Sequence, residues 1–227
     1  VRGALSRTEL PYVSELYSAY SAGQLSPAYA LLVETQAAMR ADISHDLAIS
    51  EAIAGTFLEH ERRDLMAPNA FEKALREIDA LEDEVAAPDL AAKLAGEGLN
   101  ELLDLPPPLR DKALEACAEK GWSRLTNGVS RLDLSGSIAV HAHLYRITPG
   151  SSVPKHSHHG QELTLVIRGG FSDEIGSYGP GDLCCKTPAD THQPVADDDG
   201  VCIALAVIEG GMRFKGVLGL IQKLTGR

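Results

Sequence analysis

Two hydrophobic periods divide this chain. Before about residue 120, apolar positions recur every three to four residues, the period of a helix with one covered face. From Trp122 onward they alternate, the period of a strand. In the first half a short helix is expected around Ser14–Ala22. Ser26-Pro27 reads as a second start, with serine as cap and proline at the first helical position, leading through Leu31, Leu32 and Met39 to Arg40. A third start at Ser44 leads to Ile49, Ile53, Phe57 and His60 on one face. After a break at Pro68, Phe71, Leu75, Ile78 and Leu81 follow at spacings of four, three and three, the pattern of a buried stripe. Three or four such helices suffice for a small bundle.

Pro88 and the run Pro106-Pro107-Pro108 bracket a linker able to hold a short helix, and a further helix is expected at Leu109–Glu119. Strands are expected at Ile138–Ile147, Glu162–Arg168, Asp182–Lys186 and Val201–Ile208, separated by Pro-Gly, Gly-Gly and Asp-Gly turns. Such spacing suits a small β-barrel or jelly roll. Phe214, Val217, Leu218, Ile221 and Leu224 predict a closing C-terminal helix. The expected class is therefore α+β and multidomain: a helical domain over 1–86, a linker with helix over 87–120, and a β-barrel domain over 121–227. On the strand at Glu162, the side chains of Glu162, Thr164 and Val166 face one way and those of Leu163, Leu165 and Ile167 the other. The second set needs a cover: another sheet, the helical domain, or a second chain in a homodimer.

Charge sharpens this division. The 227 residues carry a formal charge of −11, and residues 1–120 hold 22 acidic against 11 basic residues, so the whole excess lies in the helical half. That argues against direct nucleic-acid binding, which needs a basic footprint. It fits either a solvated helical surface or a docking surface for a basic protein. No apolar run reaches the length of a membrane span, and no signal pattern opens the chain. The four cysteines form neither a disulfide framework nor a CxxC pair, which points to a reducing, cytoplasmic setting. Cys184 and Cys185 are consecutive on a strand, so one faces the interior, and Cys202 reads as a small buried apolar residue.

The candidate chemistry lies between Gly150 and Gly169. His156 and His158, two apart, share a strand face, and Glu162 keeps their parity across the turn at His159-Gly160. His192 is the donor expected from a neighbouring strand. Three imidazoles and a carboxylate suit zinc, iron, manganese or nickel rather than calcium or magnesium. Two histidines at this spacing alone usually mark a solvated loop; Glu162, the flanking glycines and His192 turn them into a metal-site candidate. His159 has the wrong parity, and His141 and His143 repeat the spacing without a matching carboxylate, so they read as wall residues of the barrel. No catalytic residue is identified, and no cofactor other than a metal.

Gly150 to Gly169 matches the first cupin motif, G-x5-HxH-x3-E-x6-G, at every fixed position. The second motif, G-x5-PxGxxH, is met loosely: Gly181 to Pro188 is one residue long and Pro188 to His192 one residue short. Within the cupins, HHGQELTLVIRGGFSDEIGSYGPGD, THQPV, VCIALAV and MRF resemble the C-terminal domain of ChrR-type anti-sigma factors, and AYSAGQLSPAYALLVETQAAMRADIS resembles their helical domain. The resemblance implies that the helical half sequesters an extracytoplasmic-function sigma factor. It implies too that the cupin carries zinc and takes part in a response to singlet oxygen or related oxidants. The family's helical domain usually holds a second zinc through an upstream histidine and an H-x3-C-x2-C run. Here those three positions are Gln36, Arg40 and Ile43, so that site is expected to be absent. The alternative function is a metal-dependent cupin enzyme, a dioxygenase or isomerase on a small molecule.

Overall fold

The computed structural model describes residues 11–84, 99–135 and 140–214. Helices α1 (Pro11–Ser21), α2 (Pro27–Met39), α3 (Ala41–His60) and α4 (Ala70–Glu84) are followed by α5 (Leu99–Leu103) and α6 (Pro107–Glu119). Pro27 and Pro107 sit at helix starts, where a missing N–H costs nothing. Ser26 precedes α2 without a side-chain cap bond, and Ser44 lies inside α3 rather than at its start. The expected C-terminal helix lies outside the described residues beyond Phe214.

The strands are β1 (Ser123–Thr126), β2 (Val129–Asp133), β3 (Val140–Ile147), β4 (His156–His158), β5 (Glu162–Arg168), β6 (Phe171–Ser172), β7 (Ser177–Tyr178), β8 (Leu183–Lys186), β9 (Val195–Ala196), β10 (Cys202–Glu209) and β11 (Met212–Phe214). They form an antiparallel sheet in the order β1-β2-β3-β10-β5-β8, a pair β11-β4 and a small sheet β7-β6-β9. The expected closed barrel is thus three hydrogen-bonded sheets wrapped on a common interior, without a continuous ladder around it.

Strand alternation gives the large sheet two apolar faces. Its outer face carries Leu132, Leu144, Leu163, Leu165, Leu205 and Val207, and these pack in one core with Leu32 and Val33 of α2 and Leu109, Ala113 and Ala116 of α6. The helices therefore supply the cover that Leu163 and Leu165 require. Glu101 of α5 bridges Arg146 on β3 and Arg168 on β5, fastening that helix to the same face. The inner face carries Tyr145, Ile147, Val166, Cys184, Cys202, Ala204 and Ile208, closed by Phe171, Val153 and Ala196 from the other side. Cys184 is inward and buried while Cys185 lies on the helical side, as alternation requires. Burial pushes the thiols of Cys184 and Cys202 up to about 12.

The first turns of α3 join the core through Ile43 and Leu47, but the helix then runs clear of it. Ile53 is 56% exposed and Phe57 73%. On α4, Phe71 and Ile78 are 65% and 52% exposed, so the stripe expected to be buried faces outward. Leu81 lies among residues whose side chains are not described. The helical period correctly marks the apolar face of α4; nothing among the described residues covers it.

The three positions Gln36, Arg40 and Ile43 have other employment here. Gln36 is buried, accepts a hydrogen bond from Tyr17 (2.7 Å) and donates to the Gly181 carbonyl (3.2 Å). Arg40 is paired with Asp42 (2.8 Å) and lies 3.9 Å from Asp182. Ile43 is buried in the core. Gly181 has a positive φ of 84°, a conformation that favours glycine, and it sits tightly against the Arg40 side chain at this contact.

Candidate metal centre

Three chain segments deliver the four donors. β4 carries His156 and His158; the turn at Gly160-Gln161 reverses the chain; β5 opens with Glu162. His192 arrives on the segment between β8 and β9, and its backbone is bonded to His156 in both directions (N–H to O, 3.0 and 3.1 Å). The two departures in the second motif cancel: His192 follows Gly181 by eleven residues, the same offset as in G-x5-PxGxxH, so the histidine reaches its place.

His156, His158, Glu162 and His192 are all buried, and one donor atom from each lies within 4.8 Å of the others. Glu162 Oε2 is 2.5 Å from His158 Nε2, 3.5 Å from His192 Nε2 and 3.9 Å from His156 Nε2. His192 Nε2 lies 3.1 Å from His156 Nε2 and 3.3 Å from His158 Nε2. The outward nitrogens of two rings are committed elsewhere: His156 Nδ1 to the Pro154 carbonyl (2.7 Å) and His192 Nδ1 to Asp173 Oδ2 (3.2 Å). Their Nε2 atoms are thereby turned to the shared centre. Glu162 Oε1 accepts from Thr164 (2.7 Å), while Oε2 faces the imidazole nitrogens across the same space. A buried carboxylate oxygen and converging imidazole nitrogens form a group that could hold a metal ion. The donor set fits a divalent transition metal.

The charges around the centre agree with that reading. Burial raises the pKa of Glu162, but the facing imidazoles of His158 and His192 outweigh it and hold the carboxyl well below its ordinary range. Burial lowers His156 to about 4, keeping it neutral and able to coordinate. For His192 burial also works against the charged form, yet hydrogen bonds to Asp173 and Glu162 prevail and its pKa is raised.

Two residues outside the motif complete the arrangement. Asp173 is buried and shares Oδ2 between His192 and Lys186 (2.7 Å), while Oδ1 accepts the backbone N–H groups of Ile175 and Gly176. Lys186 stands opposite Glu162 in the β5–β8 ladder and is itself buried. A lysine at an inward strand parity, two after Cys184, was the available signal for it; nothing in the spacing of Asp173 marks that residue. His159 is exposed, bonded to Arg213 (3.1 Å). His143 is buried beside Asp133 (3.6 Å) and the His141 ring, on β3 and outside the four-donor group. An apolar cavity of about 30 Å³ adjoins the donors, walled by Ile147, Val153, Phe171, Ala204 and Met212. That volume is room for roughly two waters.

Residues 110–209 match the family described as the ChrR cupin-like domain. Over these residues the chain is similar to a ChrR cupin-like domain. The likeness reaches beyond it. The anti-sigma-E factor ChrR of Cereibacter sphaeroides is 29% identical over 203 residues, covering 89% of this chain and 91% of that protein. In the crystal structure of Rhodobacter sphaeroides SigE in complex with the anti-sigma ChrR, the matching chain is 27% identical. That match has a TM-score of 0.64 and covers 86% of this chain and 96% of the other. Coverage of that extent includes most of the helical half, so the resemblance to ChrR-type anti-sigma factors holds for both parts. Among the described residues no helix is long and apolar enough to cross a membrane.

Proposed function

We propose that this protein is a ChrR-type anti-sigma factor of the cytoplasm, whose helical half sequesters an extracytoplasmic-function sigma factor. The observation that carries the reading is the two-part match to an anti-sigma factor, at a TM-score of 0.64 over 86% of the chain. The exposed faces of α3 and α4 support it. Ile53, Phe57, Phe71 and Ile78 form the kind of apolar surface that a soluble protein retains for a partner. The acidic excess of residues 1–120 complements a partner whose own task is to bind DNA.

In this reading His156, His158, Glu162 and His192 hold a divalent metal, zinc first, with iron, manganese or nickel able to use the same donors. The metal would fix the relation of β4, β5 and the His192 segment, and an oxidative or ligand signal would act by disturbing that relation. Neutral His156 and anionic Glu162 supply donors that need no deprotonation. Asp173 keeps His192 Nε2 turned inward. A metal-dependent enzyme has less support, because a cavity of about 30 Å³ leaves little room for an organic substrate.

The test is co-elution of the full chain with the extracytoplasmic-function sigma factors of its own genome, with metal content measured on the same sample. A one-to-one complex and about one equivalent of metal are expected. Absence of any complex overturns the anti-sigma role. Failure to hold metal, or retention of it in His156→Ala, overturns the role of the four donors.

A further inference from the structure

Helix α2 is the element common to both halves of the molecule: it packs against α1 and α3 on one side and against α6 and the sheet on the other. Polar bonds tie it to the cupin at two points. Gln36 donates to the Gly181 carbonyl, and Gly181 in turn donates its N–H to Val166 O on β5, the strand that opens with Glu162. At the other point the buried Tyr29 donates its hydroxyl to Glu209 Oε1 at 2.9 Å, joining residues 180 apart in sequence.

Glu209 is placed by the metal loop. Its N–H donates to Gln161 O (2.9 Å) and its carbonyl accepts from Gly160 N–H (3.1 Å). Gly160 and Gln161 are the turn that joins His158 to Glu162. The contact is so close that a Cβ on Gly160 would lie 2.5 Å from that of Glu209. Immediately after Glu209, Gly211 accepts from His159 N–H, and Met212 pairs with His158 across β11–β4. The carboxylate that receives the Tyr29 hydroxyl is thus held against the turn that joins His158 to Glu162.

We propose that the Tyr29–Glu209 hydrogen bond couples the occupancy of the His156–His158–Glu162–His192 centre to helix α2, and through α2 to the partner-binding face of α3. The inference rests on the function proposed above. When the four donors lose their common cation, the Gly160-Gln161 turn relaxes and carries Glu209 away from Tyr29. Loss of this bond leaves α2 with only one of its two polar ties to the cupin, the one through Gln36, so α2 is held less tightly against the sheet. α3, which contacts α2 along its first turns, follows. Coupling of this kind is reciprocal, so partner binding to α3 must change metal affinity by the same factor.

Hydrogen exchange of the full chain with and without zinc tests this, with no sigma factor present. In the wild type, removing zinc should speed exchange both at Gly160-Gln161 and, on the order of fivefold, along α2. In Tyr29→Phe, which keeps the ring and loses only the hydroxyl, the turn should still respond to zinc while α2 no longer does. Glu209→Gln retains an acceptor oxygen and should preserve the wild-type response. The proposal is overturned if α2 of the wild type ignores zinc while the turn responds, or if α2 of Tyr29→Phe responds as the wild type does. A chain whose turn and α2 both ignore zinc overturns the metal centre itself, and co-elution with a sigma factor would still separate that failure from failure of the anti-sigma role.

Discussion

The α3–α4 surface and the cupin interior break the usual rules of burial in opposite directions. On α3 and α4, large apolar side chains stand in water; in the cupin, three histidines, two carboxylates and a lysine are shut away from it. Each arrangement is costly by itself, and each suits a particular class of partner: an apolar surface for the first, a cation for the second. The chain of bonds from the Gly160-Gln161 turn through Glu209 to Tyr29 runs from the cupin interior to α2. Position relative to the ordinary burial pattern, more than residue type, is what distinguishes them from their surroundings. Leu163 and Phe71 are both apolar members of regular elements, yet one is covered by α2 and α6 and the other by nothing described.

The strongest way to break this comparison is to remove a donor. His156→Ala should reduce bound zinc from about one equivalent to nearly none by elemental analysis, without dissociating the helices from the sheet. Asp173→Asn comes next. It keeps the volume but frees Lys186 and weakens the hold on His192, so zinc affinity measured by chelator competition should fall by about 10- to 100-fold. On the opposite surface, the double substitution Phe57→Ser and Phe71→Ser should weaken sigma-factor binding by roughly 30-fold, read by titration calorimetry. Its melting temperature should stay near that of the wild type, because both rings are already exposed.

The smallest effect separates His143 from the histidines of the centre. Burial, first, and Arg131 beside it push His143 down to about 4. Its folded-state pKa thus lies below the unfolded value near 6.5, so the neutral ring contributes stability that is fully present above that value and is lost as pH falls toward 4. Replacing His143 with Phe should flatten the decline of unfolding free energy between pH 6.5 and 5.5 by about 1 kcal/mol, measured with denaturant on zinc-loaded protein.

Much of this was legible in the chain. Two-residue spacing placed His156 and His158 on one face, and the same rule sorted Leu163 and Leu165 from Glu162 and Thr164, because strand geometry allows no other alternation. His192 was found by type, and its loose motif proved harmless because an insertion before Pro188 offsets a deletion after it. Asp173 could not be seen: its role depends on a backbone turn at Ile175 and Gly176 and on a strand two elements later. The fate of Phe71 and Ile78 was hidden for a different reason. A helical moment tells which side is apolar, whereas burial depends on what comes to lie against it. The helices were readable, but their capping was less so, since Ser44 lies within a helix that starts at Ala41 with Arg40 at its N-cap.

The shared core also sets an order of assembly. Leu32 and Val33 must wait for Leu205 and Val207, more than 170 residues downstream, before their final contacts exist. At about 5–20 residues per second of synthesis, that wait is roughly 10–35 s. During it α1–α3 emerge from the ribosome with the sheet-facing side of α2 bare, and a nascent chain is open to chaperones on the same side that will later seal it to the half with the four donors.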